Sequence, residues 1–428
     1  MTDSQDSGSL SPESSSWKNT IRRINFRPYF TGIFPFFVVA HFGHHAVSAL
    51  LRPLTPMIRT DFNLSYTQIG WMGMAFGLTT GLSQLPAGRL ADRFGARLMV
   101  VLGVTGVAVA GFFIGFTNSF AMLVCLLVLS SLLGAGYHPA SAAAIVSSVP
   151  EEYRGRALGV HLIGGTSAFW MIPLIAAPIA ATWGWRSPYL FLTAPVAVLG
   201  VFLYTQIGKR IKADASKRQE QKADTDTQTA KAGINWGKLV PFIIISVFTG
   251  TMVQSVSAYL ALYATDVLLV SEATAAMLMS ITPAIGLFAA PLGGYLSDRF
   301  GSMRVIIVVS YITIPLIYLL GITPNVGALV AVMIVLGLVM NTRMPTSESY
   351  IAGNTPEHRR ATVLGIYYFA GTGVAAPLAP IVGNLIDRMG FQKTFGIASA
   401  VTAAITLVCS LFLWKNRSHN KYPEITGK

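Results

Sequence analysis

The sequence is poor in charge. Asp, Glu, Lys and Arg together make up 11% of its 428 residues, against roughly a quarter in soluble globular proteins, too few to cover several water-facing domain surfaces. Cysteine is nearly absent: Cys125 and Cys409 lie in apolar stretches without metal-ligand spacing, which argues against a disulfide framework or a zinc site. Residues 1–20 lack an apolar core, so neither a cleavable signal peptide nor a lipidation site is read there. The first apolar run, from about Tyr29, is expected to direct membrane insertion. Acidic residues are the scarcest charged class, 18 against 31 Lys plus Arg, leaving a net charge of +13; in a soluble chain that surplus would point to nucleic acid.

What is present is apolar surface, 53% of the residues, gathered in runs long enough to cross a bilayer at roughly 20 residues per helical span. Twelve runs are marked off, near 29–52, 66–88, 97–117, 120–146, 157–182, 188–208, 238–263, 272–294, 303–322, 325–351, 362–385 and 393–414. The sequence therefore predicts an all-α membrane protein. Its expected parts are an N-terminal tail (1–28), a six-helix bundle (29–208), a charged central loop (209–235), a second six-helix bundle (236–414) and a C-terminal tail (415–428). With the N-terminus placed inside, 25 of the 31 basic residues fall on the cytoplasmic side and five outside (Arg52, Arg59, Arg186, Arg388, Lys393), while Arg343 lies within a helix. That bias predicts both termini cytoplasmic and explains the basic surplus without nucleic acid.

An internal repeat appears at an offset of 206 residues. Gly88, Asp92, Arg93 and Gly95 recur as Gly294, Asp298, Arg299 and Gly301; Pro139 and Ser141 recur as Pro345 and Ser347; Glu151 and Arg154 recur as Glu357 and Arg360. An even number of helices per half gives both halves the same orientation. Parallel repeats of this kind are a transporter architecture with the substrate site between the halves near midplane.

The segment Gly88-Arg-Leu-Ala-Asp92-Arg93-Phe-Gly95-Ala-Arg97, echoed at Gly294 to Arg304, resembles the G-x-x-x-D-R-x-G-R-[RK] signature of the major facilitator superfamily. The resemblance extends over about 29–414 and implies alternating access between two six-helix bundles. It also implies a cytoplasmic latch built from Gly88, Asp92, Arg93, Gly95 and Arg97, with Gly294, Asp298 and Arg299 in the second copy, where Met303 replaces the last basic residue. Glycine suits close helix approach and tight turning, and a carboxylate at a helix end can meet a neighbouring helix N-terminus. Glu151 and Glu357 are candidate partners of the motif arginines, or else solvated loop charges.

Ionisable groups inside spans are functional candidates because burying them in hydrocarbon is costly. His41, His44, His45, Ser48 and Arg52 fall on one face of the first helix; the histidines are candidates for substrate binding, His44 and His45 also for proton carriage, or else they are packing residues. His41-Phe-Gly-His44-His45 matches the H-x-x-H-H box of membrane desaturases. A di-iron site needs several such boxes, however, and the other histidines stand alone in the sequence, so no metal or other cofactor is expected. Arg343, beside Asn341 and Pro345 on the tenth helix, is a candidate carboxylate or phosphonate ligand, or one half of a structural pair with Glu348. Its repeat equivalent is Tyr137, next to His138. His161 and its equivalent Tyr367, with Gln254, Tyr259 and Tyr263, are further candidate lining residues; Glu348 and His161 join the candidate proton carriers. Phe169 and Trp170 face either the cavity or lipid.

The strings His41-Phe-x-x-His, Phe62-Asn-Leu-Ser-Tyr-Thr-Gln-Ile-Gly70 and Gly136-Tyr-His138-Pro139 resemble the branch of the superfamily that includes fosmidomycin-resistance exporters. That branch commonly carries an acid on the first helix, where His44 and His45 stand here. Ser130 also replaces an arginine frequent in antiporters, and the Gly-Pro motif of the fifth helix is missing. The expectation is a monomeric, multi-pass secondary transporter of a bacterial inner membrane, moving a small organic solute, preferably an anion, with protons as candidate coupling ions. A drug/antibiotic efflux antiporter is the nearest alternative, and a non-transporting sensor or assembly protein on the same fold is the alternative of another class. No catalytic constellation is present, so no enzyme activity is expected.

Overall fold

The computed structural model describes residues 34–94, 96–148, 154–218 and 236–415. Within them, helices follow the twelve apolar runs. In the first half these are α1 (Phe34–Phe62), α2 (Tyr66–Phe94), α3 (Ala96–Val101, a π-turn at Leu102–Gly106, then Val107–Ile114), α4 (Phe120–Gly134 and Tyr137–Ser148), α5 (Arg154–Trp183) and α6 (Arg186–Arg218). The second half contains α7 (Trp236–Ser257 and Leu260–Asp266), α8 (Glu272–Leu278 and Ile281–Phe300), α9 (Ser302–Leu320), α10 (Val326–Gly353), α11 (Glu357–Phe369, a π-turn at Ala370–Val374, then 378–389) and α12 (391–415). The fold is the expected all-α membrane architecture. α6 runs past the end of its apolar stretch to Arg218, because Ile211-Lys-Ala-Asp-Ala-Ser-Lys-Arg218 is composed mainly of good helix formers.

Eight stretches of the described residues are long and apolar enough to cross a membrane on composition alone, and α1 and α2 are not among them. α1 holds three histidines and α2 a run of Gly, Thr, Ser and Gln. Helices of that polarity need protein neighbours, and both are placed against other helices: α1 packs on α5 and α6, α2 on α4 and α11.

The repeat is written into the backbone. Among the described residues, Asn63 and Leu269 are the non-glycine residues with positive φ (50° and 56°), and Gly184 and Gly390 turn with φ of 81° and 77°; each pair is 206 positions apart. Ser119 and Asn325 cap α4 and α10 by accepting from Met122 N–H and Ala328 N–H, and this pair keeps the same offset. Gly301, expected to permit the tight turn of the second motif copy, has φ of 84°, which a side-chain-bearing residue adopts only with strain.

Among the described residues, the hydrogen bonds joining the halves gather at the end of the bundle where α1 meets α2, called here the α1–α2 face. Ser65 and Gln68 form a reciprocal capping box at the start of α2, with Gln68 N–H to Ser65 Oγ at 3.1 Å and Ser65 N–H to Gln68 Oε1 at 2.9 Å. The next N–H groups, those of Tyr66 and Thr67, donate across to the two carboxylate oxygens of Asp387 on α11 at 2.9 and 2.8 Å. A carboxylate there also meets the positive end of the α2 dipole. Arg59 binds Asp266 at 2.7 Å, Tyr66 OH donates to the same carboxylate, and Thr60 donates to Glu272 at 3.3 Å.

Below this seam α2 and α11 touch backbone to backbone. A methyl group on Gly70 would lie 2.4 Å from Pro380 Cα, and one on Gly81 2.5 Å from Gly373 Cα. At the opposite end, the α2–α3 face, the same addition at Gly159, Gly294 or Gly365 meets nothing within 4 Å. Among the described residues, the contacts between the halves are thus tightest along α2 and α11 and at the α1–α2 face. Gly70→Leu is expected to prop the seam open. With Cys125 and Cys409 replaced, spin labels at Trp183 and Leu269, one per half, should report a longer mean distance by pulsed electron resonance in the Gly70→Leu variant; an unchanged distribution would refute Gly70 as a seam contact.

Candidate functional site

Two polar clusters lie inside the bundle, one per half, on repeat-equivalent positions. In the second half α10 carries Arg343 toward α7 and α11. Its Nη1 donates to the Ser246 carbonyl at 2.9 Å, to Ser246 Oγ at 3.0 Å and to Tyr367 OH at 3.1 Å. Ser246 Oγ lies 2.7 Å from Ser347 Oγ. The guanidinium lies against Gly250, where a methyl group would come within 2.5 Å of it, so α7 needs glycine here to admit the arginine. Arg343 Nε is buried without a partner. Among the described residues no carboxylate lies within ion-pair distance of Arg343. Glu348 instead accepts from Tyr368 OH at 2.8 Å, as its position well round the helix from Arg343 requires.

In the first half the equivalents of Ser246, Gly250, Arg343, Ser347 and Tyr367 are Ala40, His44, Tyr137, Ser141 and His161. Tyr137 OH donates to the Phe37 carbonyl at 3.3 Å, and His44 stacks on the Tyr137 ring at 4.4 Å between centroids. The histidines that stand apart in the sequence are not apart in space. α4 and α5 carry His138 and His161 to the α1 face, so that His41 stacks on His161 at 4.1 Å and lies 5.3 Å from His138 and 4.9 Å from His45. The His41 ring donates from Nδ1 to the His161 carbonyl at 2.8 Å, and His44 Nδ1 donates to the Gly103 carbonyl at 2.7 Å. Phe169 packs on His45 at 5.0 Å, which places it with this cluster.

The two clusters sit at similar depth beneath one bond between the halves. Arg52 on α1 donates to Gln254 Oε1 on α7 at 2.7 Å. Along α1, His45 lies about 10 Å below Arg52; along α7, Gly250 lies about 6 Å below Gln254. Gln254, expected to line a solute cavity, is thus placed in the closing seam. So is Tyr259, whose hydroxyl donates to the Ala379 carbonyl at 2.6 Å and contacts the Tyr66 carbonyl at 3.2 Å. Tyr263 bonds the Thr323 carbonyl at 3.0 Å. Asn341 ties α10 to α8, donating to the Gly337 and Thr282 carbonyls at 2.8 and 3.3 Å.

The expected latch is described only in part. Gly95 and Glu151 lie outside the described residues, as do the side chains of Asp92 and Glu357 and the surroundings of Gly88. Arg97 donates to the Tyr204 carbonyl at 3.0 Å and lies 3.7 Å from that ring, within its own half. Arg93 rests over Phe94, and Arg299 donates to Tyr295 OH at 2.7 Å. Gly294 and Asp298 lie at the α2–α3 end of α8.

Sequence reading missed Ser246 and Gly250 around Arg343, gave Ser347 only as the repeat of Ser141, and missed Asp266, Glu272 and Asp387 at the seam. Carrying the 206-residue offset from His44 as well would have found Gly250. The scarcity of acids would have pointed to the seam carboxylates.

Comparisons with known proteins agree with this fold. The chain is 27% identical over 407 residues to the multidrug resistance protein MdtG of Proteus mirabilis, covering 92% of this chain and 95% of that protein. It is 24% identical to the protein of the same name in Escherichia coli O17:K52:H18, over 89% and 93% of the two. Among solved structures it resembles a bacterial homologue of the human lysosomal transporter Spinster in an inward-facing, occupied conformation (TM-score 0.72, 16% identity, 92% of this chain and 97% of that one). It also resembles a D-xylose-proton symporter (TM-score 0.69, 17% identity, 94% and 99%). The sequence profile of the Major Facilitator Superfamily matches residues 37–372 and 242–428, and the chain belongs to that superfamily of membrane transporters.

Proposed function

We propose that this transporter carries a small organic solute with an acidic group by alternating access, and that Arg343 holds that group. The observation that carries the reading is the state of Arg343: a fixed positive charge inside the bundle, held by neutral acceptors, with a buried unpaired Nε. A cation in this setting is costly without a counter-charge, and a solute carboxylate or phosphonate supplies one in a planar, charge-assisted geometry. The units that rock are the bundles 29–208 and 236–414, joined by the segment 209–235, and one chain contains both. The concentration of basic residues toward the α2–α3 face supports placing that face in the cytoplasm of a bacterial inner membrane, with the α1–α2 seam on the outer side. Glu348, bonded to Tyr368 one turn from the Arg343 cluster, is the carrier for proton coupling.

A second reading, efflux of drugs or antibiotics, is favoured by the names of the relatives and by the strings shared with fosmidomycin-resistance exporters. The two readings part at Arg343. In proteoliposomes tested with a panel of organic anions and of neutral or cationic drugs, Arg343→Ala should raise the KM for anions roughly 10- to 100-fold, the loss of one or two hydrogen bonds to a charged group, with Arg343→Lys intermediate. Flux of the anions at wild-type KM would refute the anion site. Transport of drugs alone, indifferent to Arg343, would select the second reading. Glu348→Gln should keep solute counterflow while abolishing accumulation driven by a pH gradient; gradient-driven accumulation at the wild-type level would remove Glu348 from coupling.

A further inference from the structure

The first-half cluster differs in chemistry from its second-half equivalent. Where Arg343 and Tyr367 present N–H and O–H groups, the first half gathers five imidazoles from three helices within ring-centroid distances of 4.1 to 5.3 Å of a neighbour. What the cluster can hold follows from its tautomers. A backbone carbonyl only accepts, so the contact to the His161 carbonyl fixes the His41 proton on Nδ1 and leaves a lone pair on Nε2. That Nε2 is buried and without a hydrogen-bond partner, and so is Nδ1 of His161. An anion would need donors where His41 has an acceptor. A Lewis-acidic cation needs what is there.

The geometry points to a site for a divalent transition-metal ion formed by His41, His45 and His138. One ring nitrogen from each of the three lies within 4.8 Å of the other two. At that separation the centre of the triangle is about 2.8 Å from each nitrogen, so a contraction of roughly 0.7 Å per ligand reaches the 2.0–2.1 Å of a Zn–N bond. Rotation of the side chains alone supplies such a shift. Histidine ligands are ordinarily oriented by a second hydrogen bond from the other ring nitrogen to a carbonyl, and His41 has that bond in place. His44 and His161 stand behind the three as reserve ligands or hydrogen-bond partners. His138 is exposed and His45 half-buried, so the site is not sealed in the core. Three nitrogen ligands with an open position suit zinc, cobalt(II), nickel or copper(II) and discriminate against magnesium and calcium, which take oxygen ligands. The site stands independently of the anion reading, since it uses none of the Arg343 cluster.

The test is metal binding to the full chain, purified in detergent without a histidine tag and stripped with chelator, followed by calorimetry with Zn2+ and by absorption spectroscopy with Co2+. Wild type should bind one ion per chain and give the visible bands of a tetrahedral or five-coordinate Co2+ nitrogen site. His45→Ala and His138→Ala should each weaken binding by at least about 100-fold, exceeding the loss that attends an outer-shell change. Replacement of His358 and His419, the remaining two of the seven histidines, should leave binding unchanged. His138→Cys keeps a ligand atom and should retain binding while adding a sulfur-to-cobalt charge-transfer band, a result that a misfolded variant does not give. No saturable binding by wild type, binding by the alanine variants equal to wild type, or a Co2+ spectrum that does not respond to His138→Cys would each overturn the proposal. Because binding is read without transport, its outcome is separate from that of the Arg343 experiments.

Discussion

A guanidinium inside a helical bundle needs acceptors, and the helices around Arg343 are arranged to supply them. Ser246 offers its carbonyl and hydroxyl, Tyr367 its phenol, and Gly250 gives up a side chain so that the planar group can lie against α7. Three helices, α7, α10 and α11, are held at a fixed spacing by these bonds. The acceptors are neutral, so no hydrogen-bond partner of the guanidinium supplies its counter-charge. Hydrogen bonding therefore orients Arg343, and a charge without a carboxylate partner at ion-pair distance among the described residues is what suits the same residue to the anion proposed for it.

The seam at the α1–α2 face obeys the opposite economy. Its ion pair, Arg59 with Asp266, has side chains about 30% exposed, and pairs of that kind contribute about 0.2–1 kcal/mol. The capping of α2 by Asp387 and the Arg52–Gln254 bond are stronger individually, yet each has water as a ready substitute once the face opens. A set of modest, replaceable bonds holds one end closed without making closure permanent. Backbone contact at Gly70 and Gly81 adds complementarity of shape, which is lost as a unit when α2 parts from α11. That combination suits a joint that opens and closes repeatedly, and it contrasts with the buried bonds around Arg343, which have no solvent replacement.

The spans, the repeat and the isolation of Arg343 were legible in the sequence because each depends on local composition: hydropathy over some twenty residues, an offset, one cation in an apolar run. The histidine cluster was only half legible. His41, His44 and His45 share a face by helical spacing, but that His138 and His161 join them depends on the packing of α4 and α5 against α1, which periodicity does not encode. Gln254 and Tyr259 are polar side chains in a span, and their bonds to Arg52 and to the Tyr66 carbonyl depend on partners in the other half that local sequence does not name. The string Phe62 to Gly70 carried more than family likeness: Asn63 supplies a positive φ, Ser65 and Gln68 the capping box, Tyr66 and Thr67 the N–H groups for Asp387, and Gly70 the close approach. A carboxylate more than three hundred residues away completes it, and such a partner has no local trace.

The repeat also shows how one framework acquires two chemistries. Tyr137 and Arg343, Ser141 and Ser347, His161 and Tyr367 occupy equivalent places, so the backbone offers each half the same pocket geometry. Substituting His44 for Gly250 fills the space that the guanidinium uses in the other half, and the stack of His44 on Tyr137 takes its place. One half is left with donors and a positive charge, the other with ring lone pairs. Parallel repeats bring such equivalent positions to the same depth, facing a common seam. A guest in the space between them would meet a hydrogen-bond-donating wall and an electron-pair-donating wall at once. Rocking the halves, as proposed above, would change the distance between those walls without altering either. Affinity can then depend on the conformational state through geometry alone, as alternating access requires.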